Sequence, residues 1–399
     1  MKRNTQSVAR EDCGISESNE SVRTESGARP ATHRAGEVIY RRARLDDDAD
    51  LRAILRDGAM ASWVTVSLER EPSYFSGENL MGESFTVIVH EDNVHPVPVG
   101  MYSCAFLPVH VNGRPERLGY LGGLRVCRPH RHKLRVIKNG FASIQVLMPD
   151  RGTVPYWFTS VASENAAARR LLGARLPGMP VYRPVGELET LVLDAQQRRA
   201  KGLLQQATHR DVPALVDFFN RQACAYQFAS LLNETQLLAL TGETGLTLGD
   251  FWLLKDGRDI RGCLAVWDQR AFKQFVIRGY RFPLNALRSA YNTWAGVMSR
   301  LRLPAPGERL EHAFLAFVAF DGAAENIYMD AVREGLVKVR DKGAHAGILG
   351  LSPQNTLARV LKSGLRTHIY RTCIQTVAWP DDTQPQLDGR PPQPEVALL

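Results

Sequence analysis

The feature that most constrains this chain is an internal repetition of strand and helix order. The segment YRRARLDD (residues 40–47) is echoed by LQQATHRD (residues 204–211), each a strand running into an acidic helix start. With 399 residues the chain is long enough for two bodies of ordinary size, each able to bury its own core. Alternating apolar residues and turn chemistry predict strands at 38–42, 85–90, 97–106, 117–126, 156–161 and 188–193 in the first body. The turn at Asn112-Gly113 joins two of them, and helices are expected from about residue 48, over 133–148 and over 166–172. In the second body strands are expected at 251–255, 262–267, 312–320, 345–351 and 366–377, with helices at 212–219, 324–342 and 356–363. The expected fold class is therefore α/β (α+β): two domains, 37–195 and 196–380, each a mixed, mostly antiparallel sheet flanked by helices. The polar stretch DAQQRRAKG (residues 194–202) reads as the linker. Residues 1–36, poor in large apolar side chains, read as a disordered tail, and the proline-rich residues 381–399 as a flexible one.

Composition narrows the function classes. A net charge of +8 favours anionic ligands, but no arginine-rich run or nucleic-acid motif is present, so a nucleic-acid partner is not expected. The six cysteines are scattered with no C-x-x-C pair, which suggests reduced thiols and a cytoplasmic protein. Cys127, His130 and His132 lie close in sequence, but no second cluster offers further zinc ligands, and no metal is expected. No apolar run reaches the ~20 residues that span a bilayer, and no membrane partner is expected.

The most informative stretch is YLGGLRVCRPHRHKLRV (residues 120–136), a strand, a short cationic loop and a helix start. Unpaired N–H groups and the positive end of the helix dipole suit a pyrophosphate, and Arg131, His132, Lys133 and Arg135 add positive charge. Residues 159–171, TSVASENAAARRL, are a strand followed by Asn165, which caps a helix in the simplest reading. Downstream of the first helix, EREPSYF (residues 69–75) places Glu69, Tyr74 and Phe75 together on a loop.

In these two stretches the chain resembles the GNAT N-acetyltransferase superfamily, whose loop runs L-x-V-x-P-x-x-R-x-x-G-x-G. Leu124, Val126 and Arg131 are in register. Arg128 replaces the proline, and Leu134 and Val136 replace the two glycines that let the backbone approach the phosphates. The resemblance implies an acyl-CoA cosubstrate, acetyl-CoA first among them, held by Leu124, Arg125, Val126, Arg131, His132, Lys133, Leu134, Arg135, Val136 and Asn165. It implies N-acyl transfer to an amine, with a strand N–H near 124–126 stabilising the carbonyl oxygen. Many members carry a tyrosine acid seven residues after the asparagine; here that position is Leu172. The proton relay then falls to other residues, with Tyr120, Glu116 and Glu83 as candidate bases. Glu69, Tyr74 and Phe75 are expected to border the acceptor, a small-molecule or peptide amine. The pattern W-D-Q-x-x-x-K-Q from Trp267 to Gln274 resembles tandem GNAT-like bacterial proteins, and is expected either to pack the two bodies together or to line a cleft between them. The strand at 312–320 leads to Asp321 with no cationic loop, so the second body is expected to lack the acyl-CoA site. Two other readings stay open: a non-catalytic acyl-CoA or metabolite binder, and an acyl transferase that uses an aminoacyl-tRNA donor.

Overall fold

The computed structural model describes residues 31–59, 63–94, 96–148, 153–196, 201–298, 300–322, 325–380, 382 and 385–399. Thirteen strands form one sheet, ordered β1-β2-β4-β5-β6-β7-β15-β8-β14-β13-β11-β10-β9. The first lobe supplies β1 (Thr32–Ala35), β2 (Val38–Arg42), β3 (Val64–Glu69), β4 (Ser84–Glu91), β5 (Pro98–Val111), β6 (Arg114–Val126), β7 (Trp157–Ala162) and β8 (Val181–Asp194). Its helices are α1 (Asp48–Asp57), α2 (Leu134–Leu147) and α3 (Ala166–Gly173). The second lobe supplies β9 (Leu204–Gln206), β10 (Phe251–Asp256), β11 (Asp259–Trp267), β12 (Gln274–Tyr280), β13 (His312–Phe320), β14 (Ala346–Leu351) and β15 (Thr367–Ala378). Its helices are α4 (Val212–Ala223), α5 (Glu234–Leu238), α6 (Leu284–Val297), α7 (Glu325–Asp341) and α8 (Thr356–Gly364).

The repetition extends to the caps. Asp47 takes the backbone N–H of Arg44 and the guanidinium of Arg41, while Asp211 takes the N–H of Thr208 and the ammonium of Lys255. Asn165 accepts from the N–H of Ala168 at the start of α3, and Asn355 from that of Leu357 at the start of α8. Each lobe is thus a mixed, mostly antiparallel sheet with helices against both faces.

The lobes exchange their last strands. β15, from the second lobe, lies between β7 and β8 and pairs with β8 over twelve positions, Thr367 to Ala378. β8, from the first lobe, pairs in turn with β14 of the second. Glu189 of β8 is buried at this junction and accepts from Lys362 of α8 and Arg371 of β15. A two-stranded sheet of β3 and β12 makes a second link, with Glu69 opposite Gln274. A third comes from Phe228, which stacks on Phe158 of β7 at 4.8 Å in a shared core. The boundary near residue 195 is therefore a boundary of chain order, and residues 31–399 form one compact unit.

Two expectations about the ends need correction. The tail expected over 1–36 contains β1, which pairs with β2 through Thr32↔Arg41 to Ala35↔Val38, so short polar residues suffice for an edge strand; residues 1–30 lie outside the described residues. Residues 385–399 are a packed strap, with Ala397 only 1% exposed. Prolines remove donors from that segment, and its remaining polar groups find partners in the body. Gln269 Nε2 donates to the Ala397 carbonyl at 2.9 Å, Lys273 Nζ to that of Leu399 at 2.7 Å, and the N–H of Gln227 to that of Pro391 at 3.0 Å. The W-D-Q-x-x-x-K-Q segment is thereby explained residue by residue. Trp267 sits in the second lobe's own core, Asp268 pairs with Arg270, Gln269 and Lys273 hold the strap, and Gln274 clamps both backbone groups of Glu71 in the first lobe.

Two predictions follow from these contacts. Residues 31–195 and 201–399 produced separately will aggregate, because each lacks a partner for a long strand; co-expressed they will yield a soluble complex, and two well-behaved monomers would refute the exchange. The second concerns Lys273, whose pKa burial lowers from 10.5 to about 7, with Arg70 adding to the effect and Glu395 opposing it. Between those two values the unfolded chain binds a proton that the folded chain does not, so stability rises with pH, by at most about 1.4 kcal/mol per pH unit. Urea unfolding at pH 7, 8 and 9 should show wild type gaining on Lys273→Met across this range; parallel curves would mean that Lys273 keeps its proton in both states.

Candidate functional site

In the first lobe, β6 and β7 run parallel but pair only through Gly119↔Trp157 and Tyr120↔Phe158. Gly119 is required there, because a Cβ would lie 2.1 Å from the Trp157 ring. Thr159 Oγ1 donates to the Leu121 carbonyl at 2.6 Å, and beyond it the ladder stops. β6 then carries a bulge. Met101 pairs with Arg125 but Ser103 with Gly122, so β6 has one residue more than β5. Gly123 takes up the kink at φ +64°, a conformation that glycine adopts without strain. A bulge leaves its extra residue outside the ladder. Backbone groups near Leu124 are thus directed into a gap between two parting strands.

The cationic loop closes the lower end of this gap. A 3-10 turn, Arg128–His130, leads to α2. Arg131, His132, Lys133, Leu134 and Arg135 are exposed. Val136 is not available to a ligand through its side chain, which is buried in the core, and its carbonyl accepts from Tyr40 at 2.8 Å. The N–H groups of Lys133, Leu134 and Val136 bond to the carbonyls of His130, His132 and Lys133. The turn that replaces the glycines therefore satisfies much of its own backbone, and the side chains of Arg131, Lys133 and Arg135 remain as outward-facing donors. Arg131 is already braced, its Nε donating to the Val126 carbonyl at 3.1 Å.

Tyr120 is buried beside the last paired position, and its hydroxyl shares a 2.9 Å hydrogen bond with Ser160 on β7. Burial raises its pKa, so the phenol keeps its proton. Glu116 is not brought to the gap: it is exposed at the hairpin end of β6, six residues and about 20 Å from Gly122 along the strand. Glu83 is committed to an exposed ion pair with Arg117 at 2.7 Å. Asn165 caps α3, its side-chain oxygen accepting from the N–H of Ala168 at 3.0 Å. Leu172 belongs to the first lobe's core, which explains why a tyrosine is absent there.

The expected acceptor residues divide. Glu69 is buried and held by Ser67 and by Arg278 of β12, so it serves the link between lobes and not a ligand. Tyr74 is buried, its hydroxyl 2.9 Å from Thr86 Oγ1, with Phe75 edge-on to it at 5.5 Å. Two participants escaped sequence reading: Ser160, and Tyr370 of β15, which acts electrostatically on Arg125. The Tyr120–Ser160 pair follows once β6 is set parallel to β7. Tyr370 had no signal, since its place depends on the strand exchange. Among the described residues no group of three or more His, Cys, Asp and Glu side chains could hold a metal ion.

The second lobe repeats the geometry with different chemistry. β13 and β14 pair only through His312↔Ala346 to Phe314↔Ile348, and β13 bulges at Phe317, φ +50°. Here the N–H of Phe317 is already taken, donating to Glu395 Oε2 of the strap at 2.7 Å. The second Glu395 oxygen accepts from Ala397, and burial raises the pKa of this carboxyl. Near it a cavity of about 420 Å³ is bordered by Phe320, Tyr328, Leu349 and Asn355. The residues that follow β13 include Asp321 and Glu325, which repel a phosphate.

Solved structures share this fold. Saccharomyces cerevisiae N-myristoyltransferase with bound myristoyl-CoA superposes with a TM-score of 0.58 over 92% of this chain and 90% of that chain, at 10% identity. A GCN5-related N-acetyltransferase from Sphaerobacter thermophilus gives a TM-score of 0.52 over 89% of this chain and 99% of that one, at 11% identity. No family model matches the sequence, and no curated protein sequence matches it. The chain has the GNAT fold in tandem, a mixed α/β architecture also found in the N-myristoyltransferase structure.

Proposed function

We propose that this protein is an N-acyltransferase that moves an acyl group, acetyl in the first instance, from acyl-CoA to an amine of a small molecule or peptide. The observation that carries the reading is the conjunction in the first lobe of a bulge at Gly123, a gap between β6 and β7, and a cationic turn at the start of α2. Such a gap admits a pantetheine arm as an extra strand would enter, with the thioester carbonyl against the bulge N–H groups. Phe158 closes its far end and the Tyr120 ring lies over Gly122 beside the bulge, which favours a short acyl group. Arg131, Lys133 and Arg135 receive the pyrophosphate through side-chain contacts. The amine attacks the thioester carbon, a C–N bond forms and the C–S bond breaks. Tyr120, protonated and bonded to Ser160, is the acid we assign to the departing thiolate, and the proton lost by nitrogen restores the phenol, so that the net transfer is from amine to thiol. Acyl-CoA bound in the neighbouring fold's solved structure is consistent with this reading. The first lobe acts alone, because the second has an acidic loop and a bulge N–H occupied by Glu395.

The alternative of a non-catalytic binder draws on Leu172 and on the self-satisfied turn. Two measurements separate the readings. Calorimetry should find one CoA per chain, and the Arg131→Ala, Arg135→Ala double variant should bind it about ten- to a hundredfold more weakly while melting normally. Two molecules bound, or an unaffected double variant, would remove the site from this loop. Thiol release from acetyl-CoA with a panel of amines should fall about a hundredfold or more in Tyr120→Phe, at unchanged CoA affinity. Tight CoA binding with no thiol release by wild type would establish the binder.

A further inference from the structure

Arg125 is a cation without a counter-charge, on the face of the sheet opposite α2. Its cross-strand neighbour is Met101, which packs with Leu51, Ile54, Leu55 and Tyr74 under α1, whereas α2 packs on the other face against Val87, Val89 and Tyr102. The stem crosses the end of α1, where a Cβ on Gly58 would lie 2.8 Å from Arg125 Cδ and Nε. One Nη donates to the adjacent Leu124 carbonyl at 3.0 Å, but Nε is buried with no partner. Its neighbours are the phenols of Tyr74, Tyr370 and Tyr120, neutral because burial raises their pKa, together with the cation of Arg131. Among the described residues no carboxylate forms an ion pair with it, and none is a leading influence on it. Other buried charges do have partners: Asp47 has Arg41, Glu189 has Lys362 and Arg371, Glu69 has Arg278, and Lys273 has two strap carbonyls. A buried donor left empty, on a group that stays charged, costs free energy that a ligand anion recovers. α2, into which the pyrophosphate turn leads, packs on the opposite face, whereas Arg125 faces the side of α1 and Tyr74, where an acceptor rather than the cosubstrate is expected.

We propose that Arg125 binds a carboxylate of the acceptor next to its reacting amine, so that the acceptors are amino acids and not simple amines. The proposal rests on the acyl-transfer reading and deepens it. The carboxylate sits against the guanidinium, with the amine carried one or two carbons away toward the bulge that follows Gly123. Attack forms the amide N–C bond and breaks the C–S bond, and the proton lost by nitrogen ends on the thiol. The product is an N-acyl amino acid. A neutral amine of the same shape leaves Arg125 unpaired and is discriminated against.

The test uses the full chain saturated with CoA and titrated calorimetrically with N-acetyl amino acids, each beside the N-acetylamine that lacks only the carboxylate. We expect at least one acid to bind about tenfold or more tightly than its neutral twin. Arg125→Gln should abolish that preference at unchanged CoA affinity, and Arg125→Lys should keep part of it. Equal affinities in wild type, no binding by any acid at millimolar concentration, or a preference that survives in Arg125→Gln would each overturn the proposal. Loss of CoA affinity in a folded Arg125→Gln would also overturn it, by assigning the anion to a CoA phosphate. Failure of wild type to bind CoA at all would instead sink the acyl-transfer reading itself.

Discussion

The structure depends on β15 lying between β7 and β8. Twelve positions of antiparallel pairing to one neighbour and six to the other satisfy the backbone of a strand that comes from the far end of the chain. Without it, β7 would be an open edge beside the gap where β6 and β7 part. The gap can therefore exist because only one side of β7 is released; the other is fastened by Thr372↔Ala162 through Val377↔Trp157. Tyr370 reaches the site for the same reason. The second lobe thus supplies the strand that fastens β7 beside the first lobe's gap.

The two gaps show how the same backbone device can be made available or silenced. Both lobes contain a parallel pair that stops after two or three positions, a bulge with positive φ, and an Asn-capped helix beyond. What separates them is charge and occupancy. The first has Arg125, Arg131, Lys133 and Arg135 around exposed turns, while the second has acidic residues and the Glu395 carboxylate seated on its bulge. A buried carboxyl that accepts from Phe317 and Ala397 imitates a ligand, so the second lobe is filled from within.

How legible was this in the sequence? Local signals worked where the determinant was local. The α2 helix, the Asn112-Gly113 turn, the strand at 157–162 and the repeated acidic caps follow from periodicity and turn chemistry. So did the loop from Leu124 to Arg135, because its residues are contiguous. The repeat is also visible in Asn355-x-x-Ala358, which copies Asn165-x-x-Ala168. Reading failed where a partner lay far along the chain. β3 exists because β12 pairs with it about 200 residues later, so Glu69 looked like a loop residue free for a ligand. The strap looked loose because its prolines hide the fact that Gln227, Gln269 and Lys273 supply the missing hydrogen bonds. Sequence places Arg125 among cations but does not reveal the face of the sheet to which its strand pairing with Met101 turns it.

The strand exchange also has a bearing on synthesis. β7 leaves the ribosome roughly 200 residues before β15, an interval of about 10 to 40 s at ordinary elongation rates. Throughout that interval the first half exposes the edge of a hydrophobic strand containing Trp157, Phe158 and Val161, and its neighbour β8 is equally unpaired. Nascent chains on one messenger would carry matching edges at high local concentration. The architecture that protects the finished molecule thus makes its first half dependent on a holding chaperone, or on slow docking of the edge against its own helices, until the last strand arrives.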